Sequence, residues 1–373
     1  MRKLFLPLIS ILIAKMAFAQ TVVSLQTVNP LPAALNESSG LVYIGNGIMV
    51  SHNDGGPDNA LYLIDTFANL VNTVYLNNVS NLDWEEVCTD DSGNVYIGDF
   101  GNNFNNRTDL RIIKIPNPSL AINDTLDGEF IYFNYNDQAQ FPPPDSLLNY
   151  DCEAFIWKDD SLFLFTKNRT MPFDGYSRCY TLPDDSGTYF ATYNNKFYCG
   201  PGPKEAYWIT GSTIDFASGE VVLLSSGRCW LFRNYAANDF FGGNTTELDL
   251  QNFSQKEGVA TTGSRLIFFS DEKIFGFGGN LYKTDLNAIV ASNNELIAAQ
   301  PIFVYSNGNS ITIPELEIDL PAHLSLIDVN GKLIRLELIT QWPLSFNISN
   351  LSPGLYMMRI SSASAVQNFK FIK

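Results

Sequence analysis

The sequence predicts an all-β chain in two parts, a ring of short repeated sheets followed by a small two-layer sandwich. Three observations lead there. A strand–turn–strand pattern recurs along most of the chain. Its β-branched and aromatic runs are separated by Gly-, Asp- and Ser-rich turns. The texture then changes near Pro301. The bulk numbers agree: 373 residues are too many for one small domain, and 45% hydrophobic residues, with 27 Phe and 17 Tyr, suffice for a large core.

The repeat is clearest when aligned on the residue that opens each unit. SGLVYIGNGIMVSHND starts at Ser39, EEVCTDDSGNVYIGDFG at Glu85 and EAFIWKDDSLFLFTKN at Glu153. STIDFASGEVVLLSSGR starts at Ser212, and EGVATTGSRLIFFSDEK at Glu257. Two further strands follow in most units. The last unit lacks one, which TVVSLQTV, Thr21 to Val28, is free to supply. Five four-stranded units closed by the N-terminal strand read as a β-propeller, which shields the edges of short sheets. Six blades stay open if the long second unit, with its FPPPD loop at Phe141 to Asp145, hides a weak one. A β-sandwich would not explain the recurring opening residue.

In a propeller these opening residues meet around one axis. Carboxylates gathered there repel unless protonated or neutralised by a cation. Ser39, Glu85, Glu153, Ser212 and Glu257 are therefore candidate ligands for Ca²⁺, which suits hard oxygen donors and mixed coordination. Glu86 replaces Glu85 if the register slips by one. The competing reading makes these glutamates clamps on neighbouring backbone amides.

The order Ser, Glu, Glu, Ser, Glu resembles that of the calcium-activated nucleotidases (apyrases). The resemblance covers Val22 to about Ala298 and consists of repeat architecture and five single positions. It implies a five-bladed ring with one Ca²⁺ in its tunnel and, as the alternative function, a calcium-dependent phosphohydrolase. The chain departs from that family in lacking a recognisable nucleotide-binding stretch. DWEE and GDFGNN also resemble secreted propellers of Bacteroidetes.

Each second strand ends on the face where the first begins, so its polar end rims the channel mouth. This gives a candidate ligand-binding set of His52, Asp54, Asp99, Asn102, Arg107, Lys167, Arg169, Arg228 and Asp271. Arg and Lys there would clamp phosphate or carboxylate, so an anionic small molecule or glycan is the expected ligand. No GxSxG, HExxH or P-loop is present, which favours a binding module over an enzyme. The net charge of −16 argues against nucleic acid as a partner. Only two His and no CxxC make a zinc site improbable, and five Cys leave at least one unpaired within the chain.

The two ends of the chain read as targeting segments. Arg2 and Lys3 precede the apolar LFLPLISILIA and the small-x-small pattern Ala17-Phe18-Ala19, a leader over 1–19. Its apolar run is short of the ~20 residues that span a bilayer, and no later stretch forms a transmembrane helix. At the other end, 301–373 reads as a small immunoglobulin-like sandwich after a propeller over 20–300. SLIDVNGKLI, LSPGLYMMRI and the terminal KFIK resemble the C-terminal sorting domain of type IX secretion. The usual Pro-Asn-Pro is replaced by Tyr305-Ser306-Asn307-Gly308. That resemblance implies a Bacteroidetes chain that crosses the periplasm. The type IX machinery would be its partner, and the medium or the cell surface its destination.

Overall fold

The computed structural model describes residues 21–287, apart from 57 and 275, and residues 305–372 apart from 307–309, 314–318, 329–332, 353–354 and 363–365. The leader expected at 1–19 and the boundary expected at 300/301 lie outside the described residues. The chain divides into two compact units, Met1–Ser292 and Asn293–Lys373.

In the first unit, four antiparallel strands in chain order recur. They run Ser38–Gly45 to Leu70–Leu76, Trp84–Thr89 to Glu129–Tyr135, Asp151–Lys158 to Gly187–Tyr198 and Gly211–Asp215 to Asn244–Asp249. The last set is Lys256–Thr261, Leu266–Asp271 and Asn280–Asp285, completed by Gln26–Pro30 from the N-terminus. The N-terminal stretch is thus used twice, which corrects the single strand expected at Thr21–Val28. Thr21–Val22 lies parallel on the edge of the fourth sheet, and Gln26–Pro30 closes the fifth. Before its fourth strand the second repeat adds Thr125–Leu126, parallel on the edge of the first sheet, and its FPPPD loop leads into the short helical turn Asp145–Leu147 rather than a further sheet. The second and third sheets join edge to edge through Glu129–Tyr135 and Gly187–Tyr198.

Turn chemistry sets the inner hairpins. Asn46-Gly47 and Asp159-Asp160 have φ of 53°, 78°, 50° and 56°, the positive values a two-residue hairpin turn demands. Asn, Asp and Gly tolerate them best. Burial then closes the ring. Trp84, Val87 and Ile97 pack with Val42 and Leu61 between the first and second sheets. Phe100, Phe133 and Phe155 fill the next interface, and Phe163, Trp230 and Phe240 the one after. Leu248, Val259 and Phe269 join the fourth sheet to the fifth, and Leu41, Met49 and Phe268 return to the first. All five cysteines are buried free thiols within these layers.

One side chain reaches across the axis. Glu86, fully buried, takes Leu41 N at 3.3 Å and Val87 N at 3.0 Å on Oε1, and Ser212 N at 2.7 Å on Oε2. It ties the inner strands of the first, second and fourth sheets. The approach needs Gly40 and Gly211. A Cβ on Gly40, whose φ is +69°, would stand 2.9 Å from Oε1, and one on Gly211 would stand 2.9 Å from Glu257 O.

The second unit is a small sandwich. One sheet orders Tyr305–Ser306, Ser310–Ile313 and Leu344–Asn347; the other orders Leu333–Ile339, Ala322–Asp328, Leu355–Ser361 and Val366–Ile372. Ile311, Leu324, Phe346 and Met358 are buried in one cluster between them.

Removing the Glu86 carboxylate would leave three buried amides unsatisfied. Urea unfolding of Glu86→Ala should therefore show a loss of roughly 2–4 kcal/mol. A loss below roughly 0.5 kcal/mol, the size of an ordinary surface substitution, would mean the carboxylate does not brace the ring.

Candidate functional site at the channel mouth

Three of the five predicted opening residues occupy one structural position. Ladder register shifts between Trp84 and Glu86, Cys152 and Ala154, and Lys256 and Gly258, so Glu85, Glu153 and Glu257 are each the extra residue of a β-bulge. A bulge re-aims a side chain that regular pairing would hold in the sheet face. In the first sheet the shift lies between Ser39 and Leu41, so the equivalent residue is Gly40, not Ser39. Ser39 instead donates its hydroxyl to Glu85 O at 2.6 Å, a bond between sheets. Ser212 sits on a strand with regular pairing, and its hydroxyl is buried without a partner. Of the five expected ligands, the three glutamates thus share a register that the two serines do not.

Around Glu85 the mouth is acidic. Asp54, Asp83 and Glu85 bring carboxylate oxygens within 4.8 Å of one another. Among the described residues, no protein group donates a hydrogen bond or pairs within 4 Å to these three side chains. Burial, then Asp83, lifts the Asp54 carboxyl to about 6. Burial, then Glu153 and Asp54, lifts Glu85 well above the usual carboxylate range, against the pull of Lys167. Asp83 is raised by burial too, with Arg107 opposing. Glu257 and Glu272 are raised in the same way.

The cations expected to hold an anion are already engaged. Lys167 Nζ lies 2.8 Å from Glu153 Oε2; burial works against its charge, but Glu153, Glu257 and Asp151 outweigh burial and hold it charged. Arg169 bonds Asp151 at 2.6 Å and Glu153 at 3.4 Å, and stacks 4.7 Å from the Trp208 ring. Arg107 pairs with Asp99 at 3.1 Å and Asp109 at 3.0 Å. Arg228 pairs with Glu247 at 2.5 Å and lies 4.2 Å over Tyr207.

The polar members of that rim set are structural as well. Asp99, fully buried, is shared by Arg107 and Arg111. Asn102 accepts from the amides of Asn106 and Arg107 on its side-chain oxygen and donates its own backbone amide to Asp151 Oδ1 at 2.7 Å. Asp271 accepts Asn280 N and the Tyr282 hydroxyl, both at 2.8 Å. His52 is fully buried, edge-on to Trp84 at 5.6 Å, with Nδ1 3.2 Å from Asn53 O. Burial lowers its pKa to about 4. Of the candidate ligand-binding residues, Asp54 alone keeps an unengaged side chain beside the acidic cluster. Charge pairing and burial engage the other residues of that set within the protein, so each would have to give up a partner to hold a ligand. Sequence reasoning missed Asp83 as a site residue, although it stands two positions before Glu85 in LDWEE, and it missed Trp208, whose loop carried no signal.

Residues 308–373 match the family described as secretion system C-terminal sorting domain. The chain therefore carries a type IX sorting domain, which engages the secretion machinery and directs the protein to the medium or the cell surface. No helix among the described residues is long and apolar enough to cross a membrane. No curated protein matches the chain in sequence. Among solved structures, the PQQ-bound aldose sugar dehydrogenase of Streptomyces coelicolor is 12% identical, covering 69% of this chain and 97% of its own, with TM-score 0.41. The calcium-binding protein regucalcin of Agrobacterium tumefaciens is also 12% identical, over 70% and 94%, with TM-score 0.35. These likenesses are too distant to bear on the site. The propeller fold stands on the strand pairing and the closed series of cores.

With a pKa near 4, His52 should stay neutral across the neutral range. An NMR titration of the imidazole signals, simple with two histidines, should show no His52 shift between about pH 5.5 and 8. A midpoint near 6.5 would place the ring in solvent.

Proposed function

We propose that the protein is a secreted binding module whose channel mouth takes a Ca²⁺ ion on Asp54, Asp83 and Glu85. The five four-stranded units and their five interfaces support a five-bladed ring around that mouth. One observation carries the cation: three carboxylates stand within 4.8 Å of one another, and among the described residues none forms a salt bridge with them, Lys167 and Arg107 acting only from farther off. Hard oxygens at an irregular, partly open site suit Ca²⁺, which tolerates mixed coordination and retains waters. Glu153 then stands beside the ion rather than on it, because Lys167 already holds its carboxylate. An anionic small molecule or glycan would reach this mouth through the ion, since Arg107, Lys167, Arg169 and Arg228 are paired. That pairing weighs against the alternative of an apyrase-type phosphohydrolase, which needs cations free for phosphate. Nucleoside diphosphate turnover that chelation abolishes would reverse this preference.

Calcium titration of the whole chain by calorimetry should show one site, which Asp54→Asn and Glu85→Gln each weaken. At a hundredfold excess over Kd the ion should add roughly 2.7 kcal/mol to stability. Chelation that leaves the melting curve of metal-loaded protein unchanged would remove the assignment.

The pH dependence has a defined sign. Asp54 titrates near 6 when folded and near 3.8 when unfolded, so the folded state binds its proton more tightly. The apo protein should therefore lose stability as pH rises from about 4 through 6, and saturating Ca²⁺ should flatten that slope. An apo stability that rises over the same window in wild type relative to Asp54→Asn would contradict it.

The sorting domain should act in trafficking alone. A chain ending before residue 308 should fold, bind Ca²⁺ and accumulate in the periplasm. Normal release into the medium would show that export is encoded elsewhere.

A further inference from the structure

The opposite end of the axis has different chemistry. A cavity of about 260 Å³ opens where the inner strands reach their first hairpin turns. Val42, Val87, Ile156 and Ile214, from four inner strands, form its walls, and Phe216 stands half exposed at the lip. The cavity is blind on the axis. Val87 and Ser212, both in its lining, donate their amides to the buried Glu86 carboxylate, which separates it from the acidic mouth. The described lining contains no Lys, Arg or His. Its Asp215 carboxylate is used by the adjacent turn, accepting from Ala217 N at 2.9 Å and Ser218 N at 3.3 Å.

Size and polarity together define a ligand class. An apolar cavity of roughly 150 Å³ stays dry and accepts benzene, while drug-sized ligands occupy roughly 300–1,000 Å³. This cavity lies between the two, so it suits one or two fused rings. The lining also carries the hydroxyls of Tyr43, Thr89, Thr213, Thr261, Thr262 and Ser212, the last without a partner, so a ligand can place one polar group beside its apolar body. A sugar would set further hydroxyls against the valine and isoleucine walls, each unpaired one at a cost of roughly 1–3 kcal/mol by mutational measure. An anion would meet no countercharge, and a cation would meet only the Asp215 carboxylate, whose Oδ1 the adjacent turn already uses.

We infer that this blind pocket is a second binding site, for one small uncharged molecule with an aromatic or branched aliphatic body. It is independent of the cation at the mouth.

Indole is the probe. Calorimetry on the whole chain should show saturable binding with a Kd on the order of 1 mM, as expected for so small a ligand. Ala217→Trp, on the exposed turn at the lip, should abolish binding by filling the entrance while leaving the ligand-free melting curve unchanged. Phe216→Ala should weaken binding roughly three- to tenfold through one lost aromatic contact, and it carries the test alone if Ala217→Trp unfolds. Glu85→Gln and chelator should have no effect on indole. Absence of saturation up to roughly 10 mM, the mark of a cavity that holds water only, overturns the proposal. So does binding that both lip variants leave unchanged.

Discussion

The ring depends on a carboxylate at its centre. Glu86 spends its charge on three backbone amides from three sheets, and two glycines let the strands close on it. A buried carboxylate costs several kcal/mol to desolvate, which its hydrogen bonds must offset. What it provides is position. An apolar side chain there would fill space without fixing which strand lies opposite which, whereas three directional bonds do. Glu86 also divides the axis into two compartments that share walls but not chemistry.

The upper compartment is governed by an imbalance of charge. Every cation on the rim that sequence reasoning singled out has a carboxylate partner, and carboxylates remain. The paired ones, such as Asp99 with Arg107 and Arg111, hold loops in place. The unpaired ones meet at Asp54, Asp83 and Glu85, where burial and neighbouring carboxylates raise the proton affinity of each. Protons neutralise a cluster in that state at low pH, and the cation proposed for the mouth would do so at neutral pH. The lower compartment lacks this tension, because Asp215 is satisfied by its own turn.

Much of this was legible beforehand because it is local. Strand alternation, turn residues and the C-terminal motifs depend on neighbours a few positions apart. They sufficed for an all-β propeller with a sorting domain. The recurring glutamate was also visible, and Glu85, Glu153 and Glu257 do share one bulge position. The alignment failed at Ser39, one residue from the true equivalent, because a bulge is a property of pairing and leaves no mark in a single strand.

Sequence by itself determined the fold class, the repeat and the export route, since each is written in short-range pattern. Tertiary structure alone decided which polar groups are free. Glu86 meets Ser212 from 126 positions away, Arg169 meets Asn103 from 66, and His52 is closed over by Trp84. Whether a charged residue is a ligand or a strut depends on what the ring brings against it. That is a matter of distance in space, which no spacing along the chain encodes.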